Sequence, residues 1–364
     1  MADHSKKAPF VFIGTYTEHE GSQSKGIYVY RMDPSTGELK FEWEAKGILN
    51  PSYLALHPQK PFLYAVNELG TFAGQEAGGV SALSIDPRSG ELNLLNAFSS
   101  QGKDPCYISI EQTGRFALVA NYSGGNAAML PIQADGRLGP ATDVVQHAGS
   151  SVDPKRQTAP FVHSIVPDPA NRFAITADLG VDKLVIYEMD LENGKLNKHG
   201  EVKVQPGAGP RHSIFHPNGK YLYLINELNS TLIAYRYHAG AGRLEELQTI
   251  STLPTGFKGE NLCADLHISG RYLYASNRKH DSLAWYLIDE NTGQLSYEGE
   301  IPSGGKEPRG FAINPTGNFL LAAHERSDNV VLFKIDSSTG KLSSSEYEVK
   351  VSQPVCVKFA YLES

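Results

Sequence analysis

Seven short turn motifs recur along the chain at a nearly regular interval. Five copies read DPSTGELK, DPRSGELN, DLENGKLN, DENTGQLS and DSSTGKLS, and two weaker copies read QADGRLGP and HAGAGRLEE. Their glycines are separated by 53, 46, 58, 48, 51 and 47 residues. A repeat of this length indicates a solenoid or a propeller. Alternating segments rich in Val, Ile, Tyr and Phe flank the motifs, so each Asp-x-x-Thr-Gly unit is predicted to be a hairpin turn in which glycine supplies a positive φ.

A second motif lies between these turns and reads strand, Pro/Gly turn, strand. Two of its copies are NPSYLALHPQKPFLYAVNEL and GPRHSIFHPNGKYLYLINEL. The two motifs together give four strands per repeat, which predicts an all-β fold, a seven-bladed β-propeller of four-stranded antiparallel blades.

The two ends of the chain divide one repeat between them. QPVCVKFA near the C-terminus supplies a first strand without a second, and PFVFIGTYT near the N-terminus supplies a second without a first. We expect the C-terminal strand to pair with the N-terminal blade, because this closure removes the open edge of the ring. The predicted organisation is a tail at residues 1–8 and a single propeller domain at residues 9–361.

Composition excludes several classes of protein. The net charge is −7 with acidic and basic residues interspersed, which argues against a nucleic-acid-binding surface. The first ten residues, MADHSKKAPF, lack the apolar segment of a signal peptide, and no apolar run reaches the ~20 residues of a membrane helix. Three cysteines without C-x-x-C spacing fit neither a disulfide framework nor a zinc site. We expect a cytoplasmic protein, a monomer or weak homo-oligomer, with no nucleic-acid or membrane partner and no cofactor or metal. A metal site assembled from several blades would leave no spacing signal.

Aligning the repeats without gaps places chemically varied residues on one rim of the ring. The position that follows the proline in most copies of the second motif holds Ser52, Cys106, His163, Arg211, Leu262, Arg309 and Val355. The next position holds Tyr53, Tyr107, Ser164, His212, Cys263, Gly310 and Cys356. The second strand ends with Thr15, Asn67, Asn121, Asp178, Asn226, Asn277 and His324. The residue after that strand is Tyr16, Glu68, Tyr122, Leu179, Glu227, Arg278 or Glu325.

The scattered Arg, His and Glu residues of these columns predict a pocket at the channel mouth. Three guanidiniums suit an anionic group, and two imidazoles and a carboxylate are candidate acid/base groups. The catalytic candidates are His163, Glu227, Arg211 and His212. The substrate-binding candidates are Arg309, Arg278, Asn277, Asp178, His324 and Arg156. The alternatives are that the Asn-rich column caps turns and that the charged residues are solvated or ion-paired.

Several segments together resemble a known family. They are FIGTYTEHEGSQSKGIYVYRMDPSTGEL, PKRQTAPFVHS, ADLGVDKLVIYEMD, GPRHSIFHPNGKYLYLINEL and EPRGFAINPTGNFLLAAHE. They look like the lactonase-type seven-bladed propeller family, which contains cycloisomerase-type 6-phosphogluconolactonases and fungal 3-carboxy-cis,cis-muconate lactonizing enzymes. The resemblance implies lactone chemistry in a cleft at one end of the ring, without an obligatory metal.

The resemblance also carries residue roles onto this sequence. The family's His before S-x-x-P falls on His163, its Arg-His pair on Arg211 and His212, its Asn-Glu on Asn226 and Glu227, and its late Pro-Arg on Arg309. Many members have Pro-His-x-His where this chain has PFVH, so Phe161 replaces the first histidine.

The leading hypothesis is hydrolysis of a small anionic lactone, 6-phosphogluconolactone. His163 or Glu227 is the general base, and Arg211 with His212 stabilises the oxyanion. Arg309, Arg278 or the loop containing Lys155 and Arg156 holds the phosphate. Two alternatives remain at this point: reversible lactonization of a carboxylated muconate, and a non-catalytic propeller used as a binding scaffold.

Overall fold

The computed structural model describes residues 8–362, which form 28 β-strands in seven four-stranded antiparallel sheets. The predicted seven-bladed propeller is confirmed. The predicted tail lies outside the described residues except for Ala8. Across residues 8–362 there is no helix of the length and apolarity that crossing a membrane requires.

Within each blade the four strands lie side by side, and they are given below in order from the channel outwards. Blade 1 consists of β28 (Pro354–Ala360), β1 (Phe10–Thr15), β2 (Gly26–Met32) and β3 (Leu39–Lys46). Blade 2 consists of β4 (Leu54–Leu56), β5 (Phe62–Asn67), β6 (Gly79–Ile85) and β7 (Leu92–Ser99). Blade 3 consists of β8 (Pro105–Ile110), β9 (Phe116–Asn121), β10 (Asn126–Pro131) and β11 (Asp143–Gln146). Blade 4 consists of β12 (Val162–Pro167), β13 (Phe173–Asp178), β14 (Lys183–Asp190) and β15 (Lys195–Lys203).

The remaining three blades repeat this order. Blade 5 consists of β16 (Pro210–Phe215), β17 (Tyr221–Asn226), β18 (Thr231–His238) and β19 (Arg243–Ser251). Blade 6 consists of β20 (Cys263–Ser269), β21 (Tyr272–Asn277), β22 (Ser282–Ile288) and β23 (Leu295–Pro302). Blade 7 consists of β24 (Pro308–Ile313), β25 (Phe319–His324), β26 (Asn329–Ile335) and β27 (Leu342–Lys350).

The ring closes by the predicted pairing of the two chain ends. β28 pairs antiparallel with β1, with Phe10 opposite Ala360 and Ile13 opposite Val357. β28 also contacts the innermost strands β4 and β24 of the two neighbouring blades. Blade 1 therefore has the same four strands as the others, and the ring has no open edge.

The core lies between the flat faces of adjacent blades. Every residue of β17 is buried, whereas in the outer strand β19 only Leu244 is buried and the other residues are partly or fully exposed. Strands covered on both faces read as continuous apolar runs, and an outermost strand with one solvated face alternates. One apolar cluster joins blades 4 and 5 and another joins blades 5 and 6.

The Asp-x-x-Thr-Gly turns have the predicted structural role. In the first of them the Asp33 carboxylate accepts hydrogen bonds from the amides of Ser35 and Thr36. In the sixth, Gly293 has a φ of 77°, and the ring of Tyr221 from the preceding blade occupies the space that a Cβ would need. The turn glycines thus also allow neighbouring blades to pack closely.

β-Bulges at the start of the innermost strands aim side chains at the channel mouth. The pairing of β16 with β17 passes from Pro210 to His212, which leaves Arg211 unpaired. The same single-residue bulge occurs at Cys106, His163, Arg309 and Val355. Bulges of this kind re-aim side chains and are common beside active sites.

Blade 6 departs from this pattern. Cys263 pairs with Asn277 and the next pair is Leu266 with Ala275, so the bulge contains two residues, Ala264 and Asp265. The gapless alignment, which put Leu262 and Cys263 in the rim columns, was therefore wrong at this blade.

Candidate active site

A small cavity opens at the end of the channel where the innermost strands begin. Its walls are formed by Tyr16, Ser52, Tyr53, Glu68, Cys106, His163, Arg211, His212, Arg309 and Val355. Three of the four predicted catalytic residues, His163, Arg211 and His212, line this cavity, and the fourth, Glu227, contacts Arg211 and His163. The structure thus brings the predicted catalytic residues together from blades 4 and 5.

The Glu227 carboxylate is surrounded by three guanidiniums. Its Oε2 atom lies 3.0 Å from Arg211 Nε and 2.7 Å from Arg278 Nη2, and its Oε1 atom lies 2.5 Å from Arg156 Nη2. Burial disfavours the ionised carboxylate, but Arg278 and Arg211 outweigh burial and hold the pKa of Glu227 well below its usual range. Glu227 is consequently a permanent counter-charge whose two oxygens are both engaged.

The arginines of this group differ in their access to solvent. The side chains of Arg211 and Arg278 are 3% and 7% exposed, whereas that of Arg156 is 36% exposed. Burial and the positive charges of Arg278 and Arg309 lower the pKa of Arg211 to about 10. Arg278 Nε is buried and has no hydrogen-bond partner within the part of the chain that the structure describes.

His212 is held by an aspartate that the sequence columns did not contain. Its Nδ1 atom lies 2.9 Å from Asp265 Oδ1, and its Nε2 atom lies 3.3 Å from Arg211 Nη1. Asp265 Oδ2 also lies 3.1 Å from Nε2 of His267, so the carboxylate joins two imidazoles. A carboxylate on Nδ1 fixes the tautomer that carries its proton there, so the unprotonated Nε2 accepts the hydrogen bond from Arg211 Nη1 and is the basic atom of the ring.

The surroundings of this Asp–His pair set its charges. Burial and then Arg211 lower the pKa of His212 to about 4, so the imidazole is neutral near pH 7. Burial opposes ionisation of Asp265, but His267 and His212 outweigh it and keep its pKa well below the usual range. The pair therefore consists of an ionised carboxylate and a neutral imidazole whose ring packs edge-on against Tyr53 and Tyr107.

His163 lies across from His212, with their ring centroids 5.3 Å apart. Its Nδ1 atom is 3.5 Å from Cys106 Sγ, and its Nε2 atom is 3.9 Å from Glu227 Oε2. Burial, Arg211 and His212 together lower the pKa of His163 well below its usual value. Phe161 stacks on Tyr122, and Tyr122 packs edge-on against His163.

Arg309 belongs to a second polar group on the blade 1 side of the cavity. Its Nη2 atom donates a hydrogen bond of 2.8 Å to the Tyr16 hydroxyl, and its Nη1 atom is 3.6 Å from Glu325 Oε2. The Tyr16 hydroxyl in turn donates to both carboxylate oxygens of Glu68, and the Ser52 hydroxyl donates to Glu68 Oε2. Of this group, only Arg309 was among the predicted site residues.

Three predicted substrate-binding residues bond the scaffold instead of lining the cavity. Asp178 accepts hydrogen bonds from the amides of Phe161 and Gly180 and contacts His147 Nδ1 at 2.7 Å. The Asn277 amide donates to the Thr252 carbonyl, and His324 Nδ1 lies 3.3 Å from the Asn329 carbonyl. All three side chains are fully buried. These contacts agree with the alternative in which this column caps turns and loops.

The three cysteines, Cys106, Cys263 and Cys356, are free thiols and are all buried. Within residues 8–362, no three or more His, Cys, Asp or Glu side chains are grouped in a way that could hold a metal ion.

Comparison with known proteins agrees with the architecture. The family described as "Lactonase, 7-bladed beta-propeller" matches residues 10–359. The chain belongs to this family. The predicted family resemblance, and with it the assignment to a family of lactone-hydrolysing enzymes, is confirmed.

Relatives cover almost the whole of this lactonase-family chain. A protein from Bacillus subtilis named 6-phosphogluconolactonase is 36% identical over 352 residues, covering 96% of this chain and 98% of its own length. The crystal structure of a putative 6-phosphogluconolactonase from Bacteroides fragilis has a TM-score of 0.89 at 37% identity and covers 99% of both chains. The structure of a periplasmic gluconolactonase from Pseudomonas aeruginosa has a TM-score of 0.92 at 35% identity, covering 98% of this chain and 100% of its own. Because that neighbour is periplasmic, a cytoplasmic location stays a prediction for this chain.

Proposed function

We propose that this protein hydrolyses 6-phospho-D-glucono-1,5-lactone to 6-phosphogluconate, a step of the pentose phosphate pathway. The observation that carries the proposal is the cavity in which an aspartate-held imidazole adjoins a buried cluster of guanidiniums. Lactone hydrolysis needs a base to activate water and positive charge for the developing oxyanion. The Bacillus subtilis relative carries the name of this activity.

The general base is an imidazole in this proposal and not Glu227. A carboxylate whose oxygens already accept from three guanidiniums is too weakly basic to take a proton from water. His212 is neutral and oriented by Asp265, with Nε2 directed to the Arg211 side of the cavity. An anionic substrate offsets the guanidinium charges that depress the proton affinity of His212, so substrate binding itself strengthens the base.

Arg211 stabilises the oxyanion that forms when water attacks the lactone carbonyl. It is fixed by Glu227 through Nε and by the Ala264 carbonyl through Nη1, so its position does not depend on substrate. A preorganised charge in a site sheltered from water contributes more than a mobile one. Substitution of such a donor costs about 10²–10³-fold in kcat.

Arg156 and Arg278 hold the phosphate of the substrate. Arg156 is the more exposed of the two and comes from the loop between β11 and β12, where it meets Glu227 from the solvent side. Arg278 offers a buried Nε–H that no described protein atom accepts. Guanidiniums bind phosphate through paired charge-assisted hydrogen bonds.

The proposal is tested by comparing wild type with His212→Gln on phosphorylated and free gluconolactone, against spontaneous hydrolysis. We expect H212Q to lose about 10²–10⁴-fold in kcat. His238→Gln is the matched control, because it makes the same change on β18, where the His238 side chain is hydrogen-bonded to the exposed Glu245. Wild-type turnover of a carboxylated muconate but of neither lactone would contradict the proposal, and no turnover of any of the three would support a binding scaffold. Repeating the assay with a chelator tests for a metal requirement.

A further inference from the structure

Two glutamates occupy the same position in different blades but have opposite surroundings. Glu68 directly follows β5 and Glu227 directly follows β17, each one residue beyond the end of the second strand of its blade. Glu227 meets three guanidiniums at 2.5–3.0 Å. Within the described chain, Glu68 forms no ion pair with arginine or lysine and instead accepts hydrogen bonds from two hydroxyls, those of Tyr16 and Ser52.

Glu68 lies in the wall of the catalytic cavity and not behind it. It is partly exposed and lines the cavity together with His163, His212 and Arg211. Arg309 donates a hydrogen bond of 2.8 Å to the Tyr16 hydroxyl, and this hydroxyl lies between its guanidinium and the Glu68 carboxyl group. The carboxyl group therefore faces the position of a bound substrate without a direct counter-charge.

This difference in surroundings shifts the pKa values of the two carboxyl groups in opposite directions. Burial raises the pKa of Glu68 above its usual value, against the opposing effects of Arg309, Ser52 and Tyr16. The guanidiniums hold the pKa of Glu227 well below its usual range. When the pKa values of two carboxyls in one site are shifted in opposite directions, the carboxyl with the higher pKa is the one suited to act as the acid.

We propose that Glu68 is the general acid that protonates the leaving ring oxygen of the lactone. The inference rests on the lactone hydrolysis proposed above, which assigns a base and an oxyanion site but no group that protonates the leaving alkoxide. A sugar alkoxide is a poor leaving group, so its protonation as the bond breaks lowers the barrier.

The proton transfers balance over one turnover. Water gives a proton to His212 Nε2 while the water oxygen forms a bond to the carbonyl carbon. The π electron pair of the C=O bond moves onto the carbonyl oxygen, which becomes the oxyanion. The oxyanion collapses, the bond between the carbonyl carbon and the ring oxygen breaks, and the ring oxygen takes the proton of Glu68. The product acid then loses its proton to solvent, and the proton held by His212 returns through water to Glu68. The net change is one water consumed and one proton released.

The test compares wild type with Glu68→Gln, which keeps the size and hydrogen-bonding capacity of the side chain but cannot transfer a proton. We expect kcat for gluconolactone or its 6-phosphate to fall about 10²–10⁴-fold with KM within a few-fold of wild type. We also expect the alkaline limb of the wild-type pH profile to disappear in E68Q. An aryl lactone such as dihydrocoumarin, whose phenolate leaves without an acid, should lose less than about tenfold, because only the acid-dependent part of the rate is removed.

A spectroscopic readout separates this inference from the proposed function. Infrared difference spectra of wild type minus E68Q at pH 7 should contain the carbonyl stretch of a protonated carboxyl group. Ser52→Ala, which removes one hydroxyl partner and keeps the carboxyl, should shift that band but retain it. Absence of the band from the wild-type spectrum overturns the inference whatever the activity. Wild-type kcat in E68Q also overturns it, and a wild type inactive on lactones while the band is present overturns the proposed reaction instead.

Discussion

Glu227→Gln is the perturbation that most sharply separates a structural counter-charge from a catalytic base. The change removes one negative charge and keeps the shape of the side chain. In wild type, Arg211 Nε and Arg278 Nη2 lie 3.0 and 2.7 Å from Glu227 Oε2. In the variant both guanidiniums remain buried but face a neutral amide. Arg156 matters less for stability because its side chain is 36% exposed and water solvates it in either case.

The expected loss of stability follows from the two buried guanidiniums. Removing one partner of a buried ion pair costs about 3–5 kcal/mol, since the other partner stays desolvated and unpaired. For 364 residues at about 2.1 cal/mol/K each, the entropy of unfolding is about 0.8 kcal/mol/K, so E227Q should melt about 4–6 °C below wild type. Inorganic phosphate should raise the melting temperature of E227Q more than that of wild type, because the site has gained one unit of positive charge.

The pH dependence of this difference has a defined sign. The folded-state pKa of Glu227 lies well below the 4.5 of an unperturbed glutamate. Its stabilisation is therefore fully present above pH 4.5 and is lost as the pH falls through the folded pKa. Thermal unfolding of both proteins from pH 7 to pH 3, followed by circular dichroism or calorimetry, measures the convergence of their melting temperatures.

The opposite result would make Glu227 the catalytic base. If E227Q melted with wild type at pH 7 but lost turnover together with the acidic limb of the pH profile, Glu227 would be the base and not a counter-charge. The matched control is Glu246→Gln, because Glu246 lies on the outer strand β19 and is exposed.

Three further predictions concern other parts of the account. Asp265→Asn should lower kcat about 10²-fold or more with little change in KM, and should change the pH profile, because Nδ1 of His212 loses the carboxylate that fixes its tautomer. Arg156→Met should raise KM for the phosphorylated lactone about 10–100-fold and leave KM for the free lactone within about twofold, which steady-state kinetics on both substrates would show. Gly293→Ala should destabilise the fold by about 2–4 kcal/mol in urea unfolding, since alanine disfavours a φ of 77° and its methyl group meets the Tyr221 ring.

The architecture could be predicted from the sequence because its determinants are local and repeated. The Asp-x-x-Thr-Gly turns are stabilised by hydrogen bonds within the motif itself, as in the turn at Asp33. Seven copies fix the number of blades, and the divided repeat at the chain ends fixes how the ring closes.

The site could be predicted only in part, because its contacts join different blades. The columns pointed to His212 and Arg211, but a gapless alignment could not register the extra residue in the β20 bulge, which brings Asp265 beside His212. The columns also could not show that Asp178 bonds the loop at Phe161 instead of facing the cavity.

The two glutamates show a second limit of sequence analysis. Glu68 and Glu227 occupy the same column, so their sequence positions predict the same role. Their environments come from neighbouring blades: hydroxyls from Tyr16 and Ser52 for one, guanidiniums including Arg278 for the other. Only the assembled ring distinguishes a candidate acid from a counter-charge.

The most direct test of the account is the ratio of kcat/KM for 6-phosphogluconolactone to that for unphosphorylated gluconolactone, each corrected for spontaneous hydrolysis. Recognition of phosphate by Arg156 and Arg278 predicts a ratio of about 10² or more, from the 1.5–3 kcal/mol expected of each charge-assisted hydrogen bond. The ratio should fall about 10–100-fold in Arg156→Met, because Arg278 still contacts the phosphate. Equal kcat/KM values for the two lactones, or no rate above spontaneous hydrolysis with either, would contradict the claim that this cavity is an active site for a phosphorylated lactone.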